Sequence, residues 1–256
     1  MCEECGCSQD EHENNKNHNQ NNNLNDHEKS IQLDKSVNEV NDKLAHDLWH
    51  SLQDKEIFCV NILGSPGSGK TTFIENIADF LGKENIAVIQ GDLESDVDKK
   101  RLEEKEISCY QINTHSGCHL NAMMINKAVI DLAMTEKLKG KMFLFIENVG
   151  NLVCPAGVKI GQHMDLVVSS TTEGSDKPKK YPIIFLDAKL VVISKYDLKD
   201  AVNFVEEKYL EDIKNINSKA KIIKVSNKDN NNEGFKEAAH FIEHEREHLL
   251  EIKHEH

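Results

Sequence analysis

The sequence predicts an α/β domain of three layers, with helices on both faces of a mostly parallel sheet. A helix and a polar, disordered N-terminal arm precede that domain. Three observations predict this. Short apolar runs recur at 57–63, 87–90, 109–112, 142–147, 166–169, 190–193 and 221–225, with helical stretches between several of them. Apolar strands alternating with helices belong to a parallel sheet covered on both sides. The first run leads directly into a glycine-rich turn and a helix over about 70–82. Finally, hydrophobic residues make up only 38% of the chain, so some segment lies outside any core.

That segment is at the start. Residues 1–7 hold Cys2, Cys5 and Cys7, and residues 8–30 are polar, with His12, His18 and His27 among many Asn. Such a stretch buries too little apolar surface to offset the entropy of ordering, so 1–30 is expected to be a flexible arm. From Ile31 a helical pattern sets in, through Val37, Val40, Leu44, Leu48 and Trp49. The domain is therefore drawn over 31–256, closing with a charged helix near 233–252 that carries His240, His244 and His248 at a spacing of four.

The charge balance excludes several functions. The 256 residues carry a formal net charge of −13. That argues against binding a nucleic-acid backbone or an anionic lipid surface. No apolar run reaches the ~18–20 residues of a membrane span. The N-terminus has neither the basic nor the apolar region of a secretory signal, so a cytoplasmic location is expected. Seven cysteines in a reducing compartment point to metal or redox chemistry rather than to disulfides. Of these, Cys59 and Cys109 fall within predicted strands and read as buried, inert thiols.

The turn after the first strand, Gly64-Ser65-Pro66-Gly67-Ser68-Gly69-Lys70-Thr71, fits the phosphate-loop pattern in full, in the strand–loop–helix setting that gives the pattern meaning. The fold class is thus a three-layer P-loop NTPase. Backbone N–H groups of the loop and the helix N-terminus face the phosphates. Lys70 reaches the β- and γ-phosphates, the Thr71 hydroxyl ligates Mg²⁺, and Thr72 is placed near the α-phosphate. An acid at a neighbouring strand end completes the magnesium site, and both Asp92 and Glu147 are candidates. Gly150 is placed to donate its N–H to a γ-phosphate. No Gln or Arg finger is evident, so slow intrinsic turnover is expected.

Base choice is read from Ser194-Lys195-Tyr196-Asp197, after the sixth strand. Guanine readers use Asn-Lys-x-Asp there: the carboxylate takes two guanine protons, and the lysine stem covers the ring. Lys195 and Asp197 are in register while Ser194 replaces Asn, so GTP is the expected nucleotide. Ser226 falls where a second guanine loop belongs.

Two sets of metal ligands stand out. Cys2-Glu3-Glu4-Cys5-Gly6-Cys7 gathers three thiols that suit nickel, copper(I) or zinc. Cys118-His119 and Cys154 follow other strands, at the sheet edge where nucleotide-dependent segments lie, and form a half-built site that two protomers complete. The C-terminal histidine series is either a chelating or a solvated helix face.

Taken together, these motifs resemble the HypB family of hydrogenase nickel-incorporation proteins, which are GTPase metallochaperones. The resemblance covers roughly 35–250 and the N-terminal cysteines. It rests on Cys2-x-x-Cys5-Gly6-Cys7; the loop 64–72; Gly91-Asp92 with Asp98 and Arg101; Cys118-His119-Leu120; 147–155 from Glu147 to Pro155; and Thr172-Glu173-Gly174 through Lys177-Pro178 to Lys180-Tyr181-Pro182. Ser194, Ser175 and the His115-Ser116-Gly117 run depart from the usual pattern. The resemblance implies Mg²⁺-dependent GTP hydrolysis and nickel delivery to the [NiFe]-hydrogenase large-subunit precursor. It also implies a nickel or zinc site at Cys118, His119 and Cys154 near a GTP-dependent homodimer interface, and a metal-binding accessory partner, HypA. A nickel store and a urease-type accessory GTPase are the alternatives; Cys154-Pro155-Ala156, rather than Cys-Pro-His, favours the hydrogenase side.

Overall fold

The computed structural model describes residues 19–92, 97–114, 117–228 and 232–254. Cys2, Cys5 and Cys7 lie outside the described residues. The chain divides into two units, Met1–Val40 and Asn41–His256. In the first, the described residues are helical and belong to α1 (Asn19–Asp54). This helix starts well before Ile31, where the apolar pattern begins, because extending an existing helix adds one hydrogen bond per residue fixed.

Val37 and Val40, read from the sequence as packing positions, are 60% and 57% exposed. The buried stripe is Ala45, Leu48 and Leu52, one helical face nearer the end of α1.

All seven expected strands are present: β1 (Phe58–Leu63), β2 (Ile86–Asp92), β3 (Ser108–Asn113), β4 (Phe143–Glu147), β5 (Met164–Ser170), β6 (Ala188–Ser194) and β7 (Lys221–Lys224). They form one sheet in the order β3-β2-β4-β1-β5-β6-β7, and every pairing is parallel. The helices are α2 (Lys70–Leu81), α3 (Val97–Glu104), α4 (Ala122–Met134), the short α5 (Lys177–Lys180) and α6 (Pro182–Leu186), α7 (Glu206–Ile216) and α8 (Glu233–His254).

The period of two along β1 sorts its side chains between layers. Phe58, Val60 and Ile62 join Phe73, Ile74 and Ile77 of α2 and Phe235, Ala238 and Ile242 of α8. Cys59 turns the other way, toward Leu48 and Leu52 of α1 and Ile125 and Leu132 of α4. Cys59 and Cys109 are buried as expected, and burial pushes the Cys109 thiol up to about 12. β1 lies between β4 and β5, so the chain leaves it in one direction for β2 and later fills the sheet in the other. That reversal places the loops after β1, β4, β5 and β6 around one crevice at the C-terminal sheet edge. Among the described residues, no helix is long and apolar enough to cross a membrane.

Candidate functional site

The loop between β1 and α2 is shaped by its glycines. Gly69 caps α2 with φ 96°, a left-handed conformation that a side chain resists. Lys70 then starts the helix; its buried ammonium donates to the carbonyls of Gly64 and Ser65 at 3.2 and 3.0 Å. Thr71 donates from Oγ1 to Glu147 Oε1 at 2.8 Å, and Gln90 donates from Nε2 to Glu147 Oε2 at 3.1 Å. Burial raises the Glu147 carboxyl, opposed by Lys70 and by these hydrogen bonds. A cavity of about 520 Å³ opens over this group, lined by Lys70, Thr71, Thr72, Glu147 and Gly150 among others. Gly150 approaches the loop so closely that a Cβ there would lie 2.9 Å from Pro66 Cα. Asn151 N–H donates to Gly64 O, fastening the segment after β4 to the phosphate loop.

A second cavity, of about 200 Å³, shares Gly69, Thr72 and Lys195 with the first and ends at Asp197, Asn227 and Lys228. Ser194, standing where guanine readers carry Asn, donates to Ser68 O at 2.6 Å, and Lys195 donates to Gly67 O at 2.8 Å. The loop after β6 is thereby stitched to the phosphate loop despite the substitution. Ser226 Oγ donates to Asp197 Oδ1 at 3.0 Å, and Lys228 Nζ lies 3.3 Å from Oδ2. Partial burial works to raise the Asp197 carboxyl, but these two partners outweigh it and hold the group below the usual range.

Three residues here had no role assigned from the sequence. Arg101 of α3 lines the phosphate cavity, held by Glu75 at 2.8 Å and Asp98 at 3.0 Å, and Gln90 lines it from β2. Their segments adjoin the loop only once β2 pairs with β4, a long-range event; the only local signal was the Asp98–Arg101 spacing. Glu173, after β5, accepts from Ser65 Oγ at 2.7 Å and braces the loop from behind. For Asp92, the backbone lies at the end of β2.

Cys118, His119 and Cys154 are neighbours in pairs. Cys118 Sγ lies 3.6 Å from His119 Nδ1, and a hydrogen bond with the Cys118 thiol raises the Cys154 thiol. Among the described residues, however, no three His, Cys, Asp or Glu side chains converge at metal-ligand spacing. Asn148 connects this cluster to the nucleotide cavity. Next in sequence to Glu147 and buried, it accepts from the N–H of Leu120 at 3.3 Å and donates to Asn61 Oδ1 at 3.1 Å. Asn61 in turn donates to Asp165.

A parallel sheet, a glycine-rich loop leading into a helix at its switch point, and a buried Lys-Thr-Glu group beneath the loop define a P-loop nucleotide-binding domain. The model of one family, described as "CobW/HypB/UreG, nucleotide-binding domain", matches residues 58–224. The chain belongs to that family. It is 38% identical over 218 residues to the "Hydrogenase/urease maturation factor HypB" of Helicobacter hepaticus, covering 85% of this chain and 89% of the relative. Among solved structures, that of HypB from Helicobacter pylori in complex with nickel superposes with a TM-score of 0.78 at 37% identity, covering 82% of this chain and 96% of the other. HypB from Archaeoglobus fulgidus superposes with a TM-score of 0.71 at 37% identity, covering 80% and 98%.

Proposed function

We propose that this chain is a GTP-hydrolysing nickel metallochaperone of the cytoplasm that delivers nickel during maturation of a hydrogenase large subunit. The observation that carries the reading is that β4 ends between two sites. Glu147 belongs to the phosphate cavity, while Asn148 holds the backbone of the loop that bears Cys118 and His119. The relatives' role as maturation factors for hydrogenase, and the nickel in one related structure, support the client and the cargo.

In this reading the amides of 64–71, the N-terminus of α2 and Lys70 hold the phosphates, and the Gly150 N–H faces the γ-phosphate. The Lys195 stem covers the base, and Asp197, oriented by Ser226, takes the two guanine protons. The hard oxygen donors of Thr71 and Glu147, with Asp92 at the neighbouring strand end, suit Mg²⁺. When bound, that ion supplies charge neutralisation at the β- and γ-phosphates. Water attacks the γ-phosphorus, the bond from the γ-phosphorus to the β–γ bridging oxygen breaks, GDP and inorganic phosphate leave, and Lys70 and the loop amides stabilise the spreading negative charge. Arg101 is held in ion pairs with Glu75 and Asp98, consistent with slow turnover in the isolated chain.

Cys118, His119 and Cys154 of one chain make an incomplete soft site, which a second protomer completes in the GTP-bound dimer. The arm thiols Cys2, Cys5 and Cys7 collect nickel, and an accessory protein of the HypA type exchanges it. Because the two sites are coupled, nucleotide must respond to metal as metal responds to nucleotide.

The test is competition of GTP against ATP in the presence of Mg²⁺, then phosphate release, then nickel affinity with GDP and with a non-hydrolysable GTP analogue. GTP preference, slow release and unequal nickel affinities are expected. Equal nickel affinities would remove the switch, and absence of nucleotide binding would leave a nickel store.

A further inference from the structure

A different pair of residues, remote in sequence from every ligand discussed above, has the geometry of a cation site. His46 and His50 are four residues apart on α1, so their side chains share one helix face. Their Nε2 atoms converge to 3.2 Å, with ring centroids 4.4 Å apart and planes inclined at 68°. Nitrogens at that separation, each about 2.0–2.1 Å from a common cation, subtend roughly 100° there, between the octahedral and tetrahedral angles. We propose that His46 and His50 form a separate two-histidine clamp for a borderline divalent cation, nickel or zinc, open to solvent.

Access and rigidity both favour this. The His46 side chain is 69% exposed, so a hydrated ion reaches it directly. Both rings line a cavity of about 660 Å³ together with Asp42, Asp165 and Asp187. The helix beneath them is pinned. Ahead of the pair, Asn41 donates to Lys159 O at 2.9 Å and accepts from Ala122 N–H at 2.9 Å. Between the two histidines, the Trp49 carbonyl meets His163 Nε2 at 3.0 Å.

His163 itself is unsuited to be a third ligand. Its Nδ1 accepts from the Cys59 N–H at 2.8 Å, which leaves Nε2 as the donor to Trp49. Both ring nitrogens are therefore engaged. Burial lowers its pKa to about 4, so the ring stays neutral in this role. It serves as a buried strut that fixes the turn carrying His46 and His50, and a clamp held in place before binding loses less entropy when it closes on a metal.

The same spacing recurs in α8 at His240, His244 and His248, yet among the described residues only the His46–His50 pair brings ring nitrogens within hydrogen-bonding distance. Spacing alone therefore does not build the site. The competing account of the 3.2 Å approach is a simple N–H···N hydrogen bond between the rings, and metal binding separates the two.

The chain supplies its own reporter. Trp49 is its only tryptophan, and its ring lies 4.7 Å from that of His50. Paramagnetic Ni²⁺ held by His50 quenches an indole at that range. The experiment is titration of the full chain with Ni²⁺ alone, without nucleotide, following Trp49 emission. Three proteins are compared: wild type, the His46→Gln/His50→Gln double variant, and the Cys118→Ser/Cys154→Ser double variant. Saturable quenching is expected in the wild type and in the cysteine variant. In the histidine variant the midpoint should rise by about tenfold or more, with unchanged circular dichroism. Quenching that survives the histidine changes, follows the cysteine changes or is absent from the wild type overturns the clamp. Because no nucleotide is present, a failure here is distinct from a failure of the GTPase reading.

Discussion

The nucleotide cavity and the Cys118 cluster meet at the end of β4, and a single chain builds them to different degrees. Around the phosphate loop nearly every polar group is already engaged. Lys70 lies on loop carbonyls, Thr71 and Gln90 on Glu147, Ser65 on Glu173, and Ser194 and Lys195 on the loop backbone. Around Cys118 the contacts are pairwise and the thiols are half-exposed. The difference reflects the ligands each region awaits. A polyphosphate is bound largely by backbone amides, which the fold fixes by itself, whereas a soft metal needs three or four side chains at once. On the reading proposed above, one chain suffices for the first, and a second chain completes the other.

The sharpest way to break this comparison is Lys70→Ala. Removing the ammonium takes away charge stabilisation that the loop amides cannot replace, so phosphate release should fall by roughly two orders of magnitude or more. Nickel affinity measured without nucleotide should remain at the wild-type value, because no ligand of the cluster touches Lys70. A variant that also loses nickel would show that the two regions fold as one site.

The same comparison explains what could be read in advance. All seven strands were legible because buried parallel strands are continuous apolar runs, and the phosphate loop because its glycines, Lys70 and Thr71 are contiguous. That Lys195 and Asp197 stand beside the phosphate loop was legible for the same reason, even with Ser194 in place of Asn. What was not legible depends on tertiary pairing. Arg101 and Gln90 reach the phosphate cavity only through the β2–β4 pairing. The close approach of His46 and His50 was hidden by a pattern that reads the same in α8. The apolar stripe of α1 was misplaced because Val37 and Val40 continue the period without being buried, while Ala45 is buried and carries little pattern signal.

The next largest effect is expected at the junction itself. Asn148→Ala deletes the acceptor for the N–H groups of Leu120 and Val149 and the donor to Asn61, all in a buried setting. Leaving such groups unpaired costs roughly 2–3 kcal/mol, readable as a lower denaturation midpoint in urea. The functional consequence is more specific. With the loop of Cys118 and His119 no longer tied to the strand end below the nucleotide, nickel affinity should cease to differ between GDP and the GTP analogue, while each ligand still binds. A retained difference would place the coupling elsewhere.

The smallest effect has the opposite sign. Glu147 is buried, and burial raises its carboxyl despite Lys70 and Thr71. A carboxyl raised on folding contributes stability that is fully present below its unfolded value and is lost as pH rises through its folded value. At any pH above its folded value the ionised carboxylate therefore costs stability, which is the expected mark of an acid held for a ligand rather than for the fold. Glu147→Gln removes that cost while its amide oxygen still accepts from Thr71, and a rotated Gln90 amide accepts from its nitrogen. Above the folded value of the wild-type carboxyl, the variant should be the more stable of the two, by an amount on the order of 1 kcal/mol. The gain should shrink as pH falls and the wild-type carboxyl takes up its proton. Urea midpoints of the two proteins across that range, without nucleotide or metal, provide the measurement. A variant less stable than wild type at neutral pH would mean that the carboxylate braces the fold, and that the nucleotide cavity is organised for its own packing rather than for a charged ligand.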